Sequence, residues 1–243
     1  MCGRYTLTVD GREILTEFSV QGTLPGLEEW LRPRYNIAPG QPVVAIRTDR
    51  SGARIAGLLR WGLVPSWAKD PQIGYRMINA RAETLAERPA FRAAYRQRRC
   101  LLPASGFYEW RRRGQKRQPY YFRLRKEPLF ALAGLWEVWR GPDGQPLYSC
   151  TVVTTAANEL VAPIHDRMPV ILDREAAALW LEPGYDRAAL EQLIGPYPAS
   201  AMERYAVSPA VNAPAHDGPD CIDPIADDEL PDPGEPSSPS SED

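Results

Sequence analysis

The 243-residue chain has little from which to build a metal centre or a disulfide framework. Its four cysteines (Cys2, Cys100, Cys150, Cys221) are scattered and form no CxxC pair, and His165 and His216 are its only histidines. That argues against a zinc site, and the lack of any carboxylate or histidine cluster at ligand spacing disfavours a metal-dependent nuclease. No apolar run approaches the roughly 18 residues of a membrane-spanning helix. The opening MCGRYTLTVDGR lacks a basic stretch followed by an apolar one, so no secretory signal is expected there. The thiols are accordingly read as free and the protein as cytoplasmic. No internal repeat is visible. What remains is an ordinary globular composition, 44% apolar and 25% charged, in a chain long enough to bury a sizeable core.

The net charge of −2 conceals an asymmetry. From Asp220 to Asp243 there are nine acidic residues and no Lys or Arg; without them 29 basic residues face 22 acidic ones, a body of +7. Such a body is compatible with a nucleic-acid partner, although from charge alone a solvated charged face ranks first. The segment 226–243 is acidic, rich in Pro and Ser, and has no aromatic residue. It lacks the apolar surface to offset chain entropy and is expected to be disordered. Residues 1–225 read as one domain. Within it, RRRGQKRQP (111–119) lies between two aromatic, strand-like segments and is expected to be an exposed hairpin loop.

Short β-branched and aromatic runs bounded by Gly and Pro predict strands at Val43–Arg47, Ile55–Trp61, Tyr120–Leu124, Phe130–Val138, Ser149–Thr154 and Val170–Leu172. Helices are expected at Gly11–Phe18 behind an Asp10 cap, Pro89–Gln97, Asn158–Ala162, Arg174–Leu181 behind Asp173, and Asp186–Ile194. Strands in hairpin order with interspersed helices predict an α+β fold with a curved, mostly antiparallel, barrel-like sheet and peripheral helices.

Cys2 follows the initiator Met. If Met1 is removed, one residue carries both a thiol and an α-amine, whose reference pKa of about 7.7–8.0 leaves part of it unprotonated at neutral pH. Such an aminothiol condenses with an aldehyde to a Schiff base, and its sulfur then closes a thiazolidine ring. The nearby cation Arg4 is of the kind that lowers a thiol pKa. Met-Cys-Gly alone favours an incidental small residue at position 2.

The rest of the chain narrows the choice. MCGRYT is followed in order by RYNIAPGQPV (34–43), WGLVPSW (61–67), MINARAET (77–84), RRCLLPASGFYEW (98–110), LAGLWE (132–137), TVVTTAAN (151–158) and IHDRMPVIL (164–172). This series resembles the SOS response-associated peptidase family of abasic-site-processing proteins, whose domain is called SRAP. The resemblance runs from Met1 to about residue 225 and leaves out the acidic tail. It implies binding to abasic sites in single-stranded DNA and a covalent thiazolidine link through Cys2, with removal of Met1 either by the protein itself or by methionine aminopeptidase. It also implies active-site roles for Asn79, Glu109 and His165. Read as chemistry, His165 delivers a proton to open the sugar ring. Glu109 moves the protons of Schiff-base formation from a pocket lined by Phe107, Tyr108 and Trp110. Asn79 holds the adduct with a neutral amide. Without the motifs, His165 would be paired to Asp166, Asn79 would cap a turn, and Glu109 would pair with an arginine.

The resemblance further implies that Arg4, Arg81 and Arg167, within the same motifs, are forks for the phosphates flanking the lesion. Three such contacts predict a salt slope of about −2, at roughly −0.7 per contact on single strands. Trp67 and Trp110 are candidates for base contact, and Asn36 and Pro39 for lining the same groove; Trp61, Trp136 and Trp180 are assigned to packing. No cofactor and no metal are expected, and the protein is read as a monomer that joins the nucleoid at damaged DNA. Two other readings stand beside this one. A class II glutamine amidotransferase also begins with Cys-Gly after Met removal, but its downstream motifs are not found. A noncovalent single-strand-binding module would leave Cys2 a bystander.

Overall fold

Strands dominate because apolar and aromatic residues recur in runs too short for helices and are cut by Gly and Pro turns. The computed structural model describes residues 2–114 and 116–226, with the side chains of residues 113 and 116 set aside. The tail read above as disordered, from residue 227 onward, lies outside the described residues, as does Met1. The strands are β1 (Tyr5–Leu7), β2 (Gly22–Thr23), β3 (Arg34–Ile37), β4 (Pro42–Thr48), β5 (Arg54–Trp61), β6 (Asn79–Arg81) and β7 (Arg99–Ala104). They continue as β8 (Gly106–Arg113), β9 (Lys116–Leu124), β10 (Phe130–Arg140), β11 (Pro146–Ala156), β12 (Arg167–Pro169), β13 (Ile171–Leu172) and β14 (Met202–Ala206). The α-helices are α1 (Gly11–Glu17), α2 (Arg92–Gln97), α3 (Arg174–Leu181) and α4 (Arg187–Leu193).

Strand β11 pairs β10, then β10 pairs β7, β7 pairs β4, β4 pairs β5, and β5 returns to β11 in parallel, closing a five-stranded barrel. Every residue of β7 is buried, as expected of a strand covered on both faces. A second sheet, ordered β14-β9-β8-β1-β3, leaves the barrel through Ser105, the one residue between β7 and β8. Alternation along β8 splits its side chains between two clusters. Phe107 joins the main core with Cys2, Tyr5 and Trp61. Tyr108 joins a smaller outer cluster with Tyr121, Val207, Val211 and Cys221. The α+β, barrel-like fold expected from the sequence is the fold observed, with the helices outside the barrel.

Two glycines allow the close approaches that shape this arrangement. A Cβ on Gly106 would lie 2.2 Å from the Tyr121 hydroxyl oxygen, which sits 2.8 Å from Thr6 Oγ1 and joins the start of the chain to the second sheet. Gly62, at φ +125°, lies so near Gly74 that a Cβ would stand 2.8 Å from its carbonyl oxygen. That contact folds segment 63–78 back on itself. The Leu63 amide then donates to Met77 O, and the Trp61 indole N–H donates to Ile78 O at 2.8 Å. Asn79 is thereby delivered to the edge of β11.

Asp10 and Asp173 cap α1 and α3 as expected, and Asp186, read as the first residue of its helix, caps α4; each accepts a backbone N–H of the first turn and contributes about 1 kcal/mol. Four expectations change. The Pro89 helix begins only at Arg92, because the Phe91 and Arg92 amides both turn onto Arg88 O and no side chain caps the start. Asn158–Ala162 is a turn rather than a helix. Asn158 Oδ1 accepts the Leu160 and Val161 amides, and Pro163 turns the preceding residue away from helical backbone. The RRRGQKRQP loop is mostly strand. Arg111 pairs Gln118 and Arg112 pairs Arg117, and Gly114, at φ +56°, stands in the turn; Gln115 lies outside the described residues. The Val170–Leu172 strand shortens to β13 on β10, and Val170 stands between it and β12, which pairs β11.

Candidate active site

Cys2 is fully buried at the mouth of β1. The side-chain amide of Asn79, first residue of β6, donates to the main-chain oxygen of Cys2 at 2.8 Å. Asn79 Oδ1 is buried and has no hydrogen-bond partner, leaving an acceptor in place at the thiol end of the chain. Burial pushes the Cys2 thiol well above its ordinary range, and the charge of Glu109 pushes it further. Arg4 offsets this only in small part, through its main-chain oxygen, which accepts from the thiol, and not through its guanidinium. Cys2 is therefore held as a neutral thiol.

Glu109 lies on β8 with Phe107, facing inward, and is 2% exposed. Desolvation raises its carboxyl to about 7. The pocket forecast from the sequence needs one correction. Tyr108 and Trp110 occupy the opposite face of β8, in the outer cluster, because side chains alternate along a strand. Inward burial beside Phe107 and Cys2 supplies the desolvation instead.

His165 ends the turn before β12 and is half-buried. Its Nδ1 accepts the Arg167 amide at 3.0 Å and also lies 2.9 Å from Asp166 Oδ1. The two contacts suit different protonation states. The neutral ring accepts from Arg167, and the protonated ring donates to Asp166. Desolvation lowers the His165 pKa and favours the neutral ring, with its proton on Nε2.

The arginines divide into three environments. Arg81 is exposed at the end of β6. Arg167 is engaged: Nη1 and Nη2 reach Glu83 Oε1 and Oε2 at 2.6 and 2.9 Å, and Nη2 also donates to Thr154 O. Arg4 is bound internally, donating to Asn36 Oδ1 and to Val211 O at 2.7 Å, with its guanidinium 5.6 Å from the Trp110 ring centroid.

Asn36 is fully buried. Its Nδ2 donates to the carbonyl oxygens of Val211, Ala213 and His216. It fastens the C-terminal segment to β3 and does not line a groove. Trp110 is half-buried and donates from Nε1 to Asn212 Oδ1 at 2.6 Å. Trp67 stands out, 58% exposed, and Pro39 is half-exposed in the turn ahead of β4. Trp61 and Trp180 are core residues, as expected. Sequence reasoning missed Glu83, the partner of Arg167, although it sits inside the NARAET run. It also missed Asp217, whose Oδ1 accepts the amides of Tyr35 and Asn36. Among the described residues, His216, Asp220 and Cys221 bring potential ligand atoms within 4.8 Å of one another. His216 Nε2 is 2.7 Å from Asp220 Oδ2 there, and the Cys221 thiol donates to His216 O.

Comparison with known proteins agrees with this architecture. The chain is 48% identical over 225 residues to abasic site processing protein YoqW of Bacillus subtilis, covering 92% of this chain and 99% of that protein. It is 32% identical to abasic site processing protein HMCES of Xenopus tropicalis, covering 91% of this chain and 78% of that protein. A protein of Bacteroides thetaiotaomicron, known from its crystal structure, superposes with a TM-score of 0.84 at 24% identity, covering 93% of this chain and all of that one, and so shares the fold. The model of the SOS response associated peptidase (SRAP) family matches residues 1–214, and the chain belongs to that family.

Proposed function

We propose that this protein processes abasic sites in single-stranded DNA by forming a thiazolidine between Cys2 and the lesion once Met1 is gone. The observation that carries the reading is the meeting of Cys2 with Asn79, tethered to its main chain, beside a carboxyl that titrates at about 7. The names of the relatives, abasic site processing proteins, support the same substrate.

The closed sugar opens when a proton reaches the ring oxygen, the bond from that oxygen to the anomeric carbon breaks, and the anomeric hydroxyl gives up its proton to solvent to become a carbonyl. Glu109 suits the donor role better than His165, since near pH 7 about half of it is protonated whereas the His165 ring is neutral. The resulting carboxylate takes a proton from the Cys2 ammonium. The free amine attacks the aldehyde carbon, and the proton returns to the hydroxyl that leaves as water. The neutral thiol then adds across the C=N bond, its sulfur joining carbon and its proton reaching nitrogen. The sum is aminothiol plus aldehyde giving thiazolidine plus one water. Asn79 Oδ1 accepts from the ring N–H or from a sugar hydroxyl, which satisfies its buried lone pairs.

Incubation with an oligonucleotide bearing one abasic site, followed by a denaturing gel, tests this. The wild-type protein is expected to give a slow-migrating adduct and Cys2→Ala none. An equal adduct from Cys2→Ala, or none from a wild-type protein whose Met1 is absent, contradicts the reading.

A further inference from the structure

Segment 63–78, which leads from the barrel to Asn79, carries the two most exposed large apolar side chains among the described residues, Trp67 at 58% and Tyr75 at 61%. Trp67 is already a candidate for base contact; nothing so far uses Tyr75. Its position is built rather than incidental. The Arg60 guanidinium lies 5.1 Å from the centre of the Tyr75 ring. The ring edge rests over Gly40, where an added Cβ would stand 3.7 Å from Tyr75 Cε1. Gly40 is itself fixed by the hydrogen bond its amide N–H donates to Trp61 O at 2.7 Å. A tyrosine on the surface, backed by an arginine and resting on a glycine turn, offers a flat π-face whose position the fold determines.

The charge around it has one sign. Between residues 60 and 81 stand Arg60, Lys69, Arg76 and Arg81 against one acid, Asp70, and Asp70 is occupied in capping Gln72 N. A cationic surface with aromatic faces at intervals is the chemistry that holds a single strand without reading its sequence. The surface also continues into the candidate site, because Tyr75 is four residues before Asn79 and its Gly40 seat adjoins Pro39.

We propose that Tyr75, backed by Arg60, is a stacking platform for a base of single-stranded DNA away from the lesion. This extends the protein's hold on the strand beyond the site of chemistry. The proposal rests on the single-stranded DNA reading above. Tyr75 positions substrate and takes no part in the bond changes.

The test uses fluorescence anisotropy with labelled single strands carrying a tetrahydrofuran abasic analogue, which has no aldehyde and cannot crosslink. The strands are long or are trimmed stepwise on either side of the analogue. Tyr75→Ala should weaken binding of the long strand by about fivefold or more, Tyr75→Trp should restore it, and the gap between variant and wild type should close once one flank is trimmed. Tyr75→Ala binding like wild type at every length would overturn the proposal and assign the exposed ring to another contact, such as one between copies of the chain. An equal loss at every length, the shortest included, would also overturn it, since the ring would then act at the lesion. A wild-type protein that binds none of these strands would overturn the underlying single-strand reading, and this proposal with it.

Discussion

The Asn79 side-chain amide and the Cys2 carbonyl are joined by a 2.8 Å hydrogen bond across 77 residues of sequence. The bond fixes the start of the chain against β6, which in turn is fixed to β11 through Val152, Val153 and Thr154. The residue proposed to react is thus oriented by a rigid strand rather than left on a free terminus.

Asn79→Ala removes this orientation and the unpartnered Oδ1 acceptor together. A single lost hydrogen bond costs about 1 kcal/mol of stability, so the melting temperature should shift by only a few degrees. The rate of adduct formation should fall by about tenfold or more, since misplaced reacting groups cost rate steeply. Stopped time courses on denaturing gels measure the rate, and thermal unfolding measures the stability. A variant that melts normally and crosslinks at the wild-type rate would remove Asn79 from the mechanism.

Glu109 links activity to stability with opposite signs. Between the reference carboxylate value and about 7, the native state holds a proton that the unfolded chain has released. Raising the pH through that window therefore lowers stability. Glu109→Gln removes the titration and should be more stable than wild type at pH 8, by about 3 kcal/mol at most, and should lose that advantage near pH 4. Its crosslinking rate should drop by about a hundredfold, the scale of general acid–base catalysis. Urea unfolding at the two pH values, with adduct rates at pH 7, checks both halves.

Arg81 is exposed, whereas Arg167 is engaged by Glu83. Arg81→Ala should make the salt slope of binding to single strands shallower by about 0.7. Glu83→Gln weakens the carboxylate that competes with phosphate for the Arg167 fork and should tighten binding at low salt. Affinity measured between 50 and 200 mM salt, the range over which counterion release is felt, tests both variants. An unchanged slope for Arg81→Ala would show that this arginine meets no phosphate.

Asn36 gives the opposite kind of prediction. Asn36→Ala removes one hydrogen bond from each of three carbonyl oxygens and one from Arg4 at a buried position. It should cost roughly 2–4 kcal/mol in chemical denaturation, while protein that remains folded binds DNA as before. A stable variant with weakened binding would return Asn36 to the groove.

The barrel was legible in the sequence because its strands are long, β-branched and bounded by Gly and Pro, as at Ile55–Trp61 and Phe130–Val138. The short strands were not. Arg34–Ile37 and Asn79–Arg81 carry polar and charged residues whose place in the sheets is set by partners far away in sequence, Tyr5 and Leu7 in one case and Val152 and Thr154 in the other. The candidate site was visible through its motifs, and the fold brings Cys2, Asn79 and Glu109 together. Residue type could not reveal how the cations are occupied. Arg4, Arg81 and Arg167 look alike as letters, yet one is tied to Asn36, one faces solvent and one is paired with Glu83. The side of β8 on which each aromatic falls likewise follows from register rather than from adjacency to Glu109.

The most direct test of the central claim is intact-protein mass spectrometry of the chain with and without a short single strand carrying one abasic site. The account predicts a protein lacking Met1 and, after denaturation, a species equal to that protein plus DNA minus one water, with the link mapped to Cys2. If Met1 is absent, the lesion is intact and no such mass appears, the covalent chemistry assigned to Cys2 is contradicted.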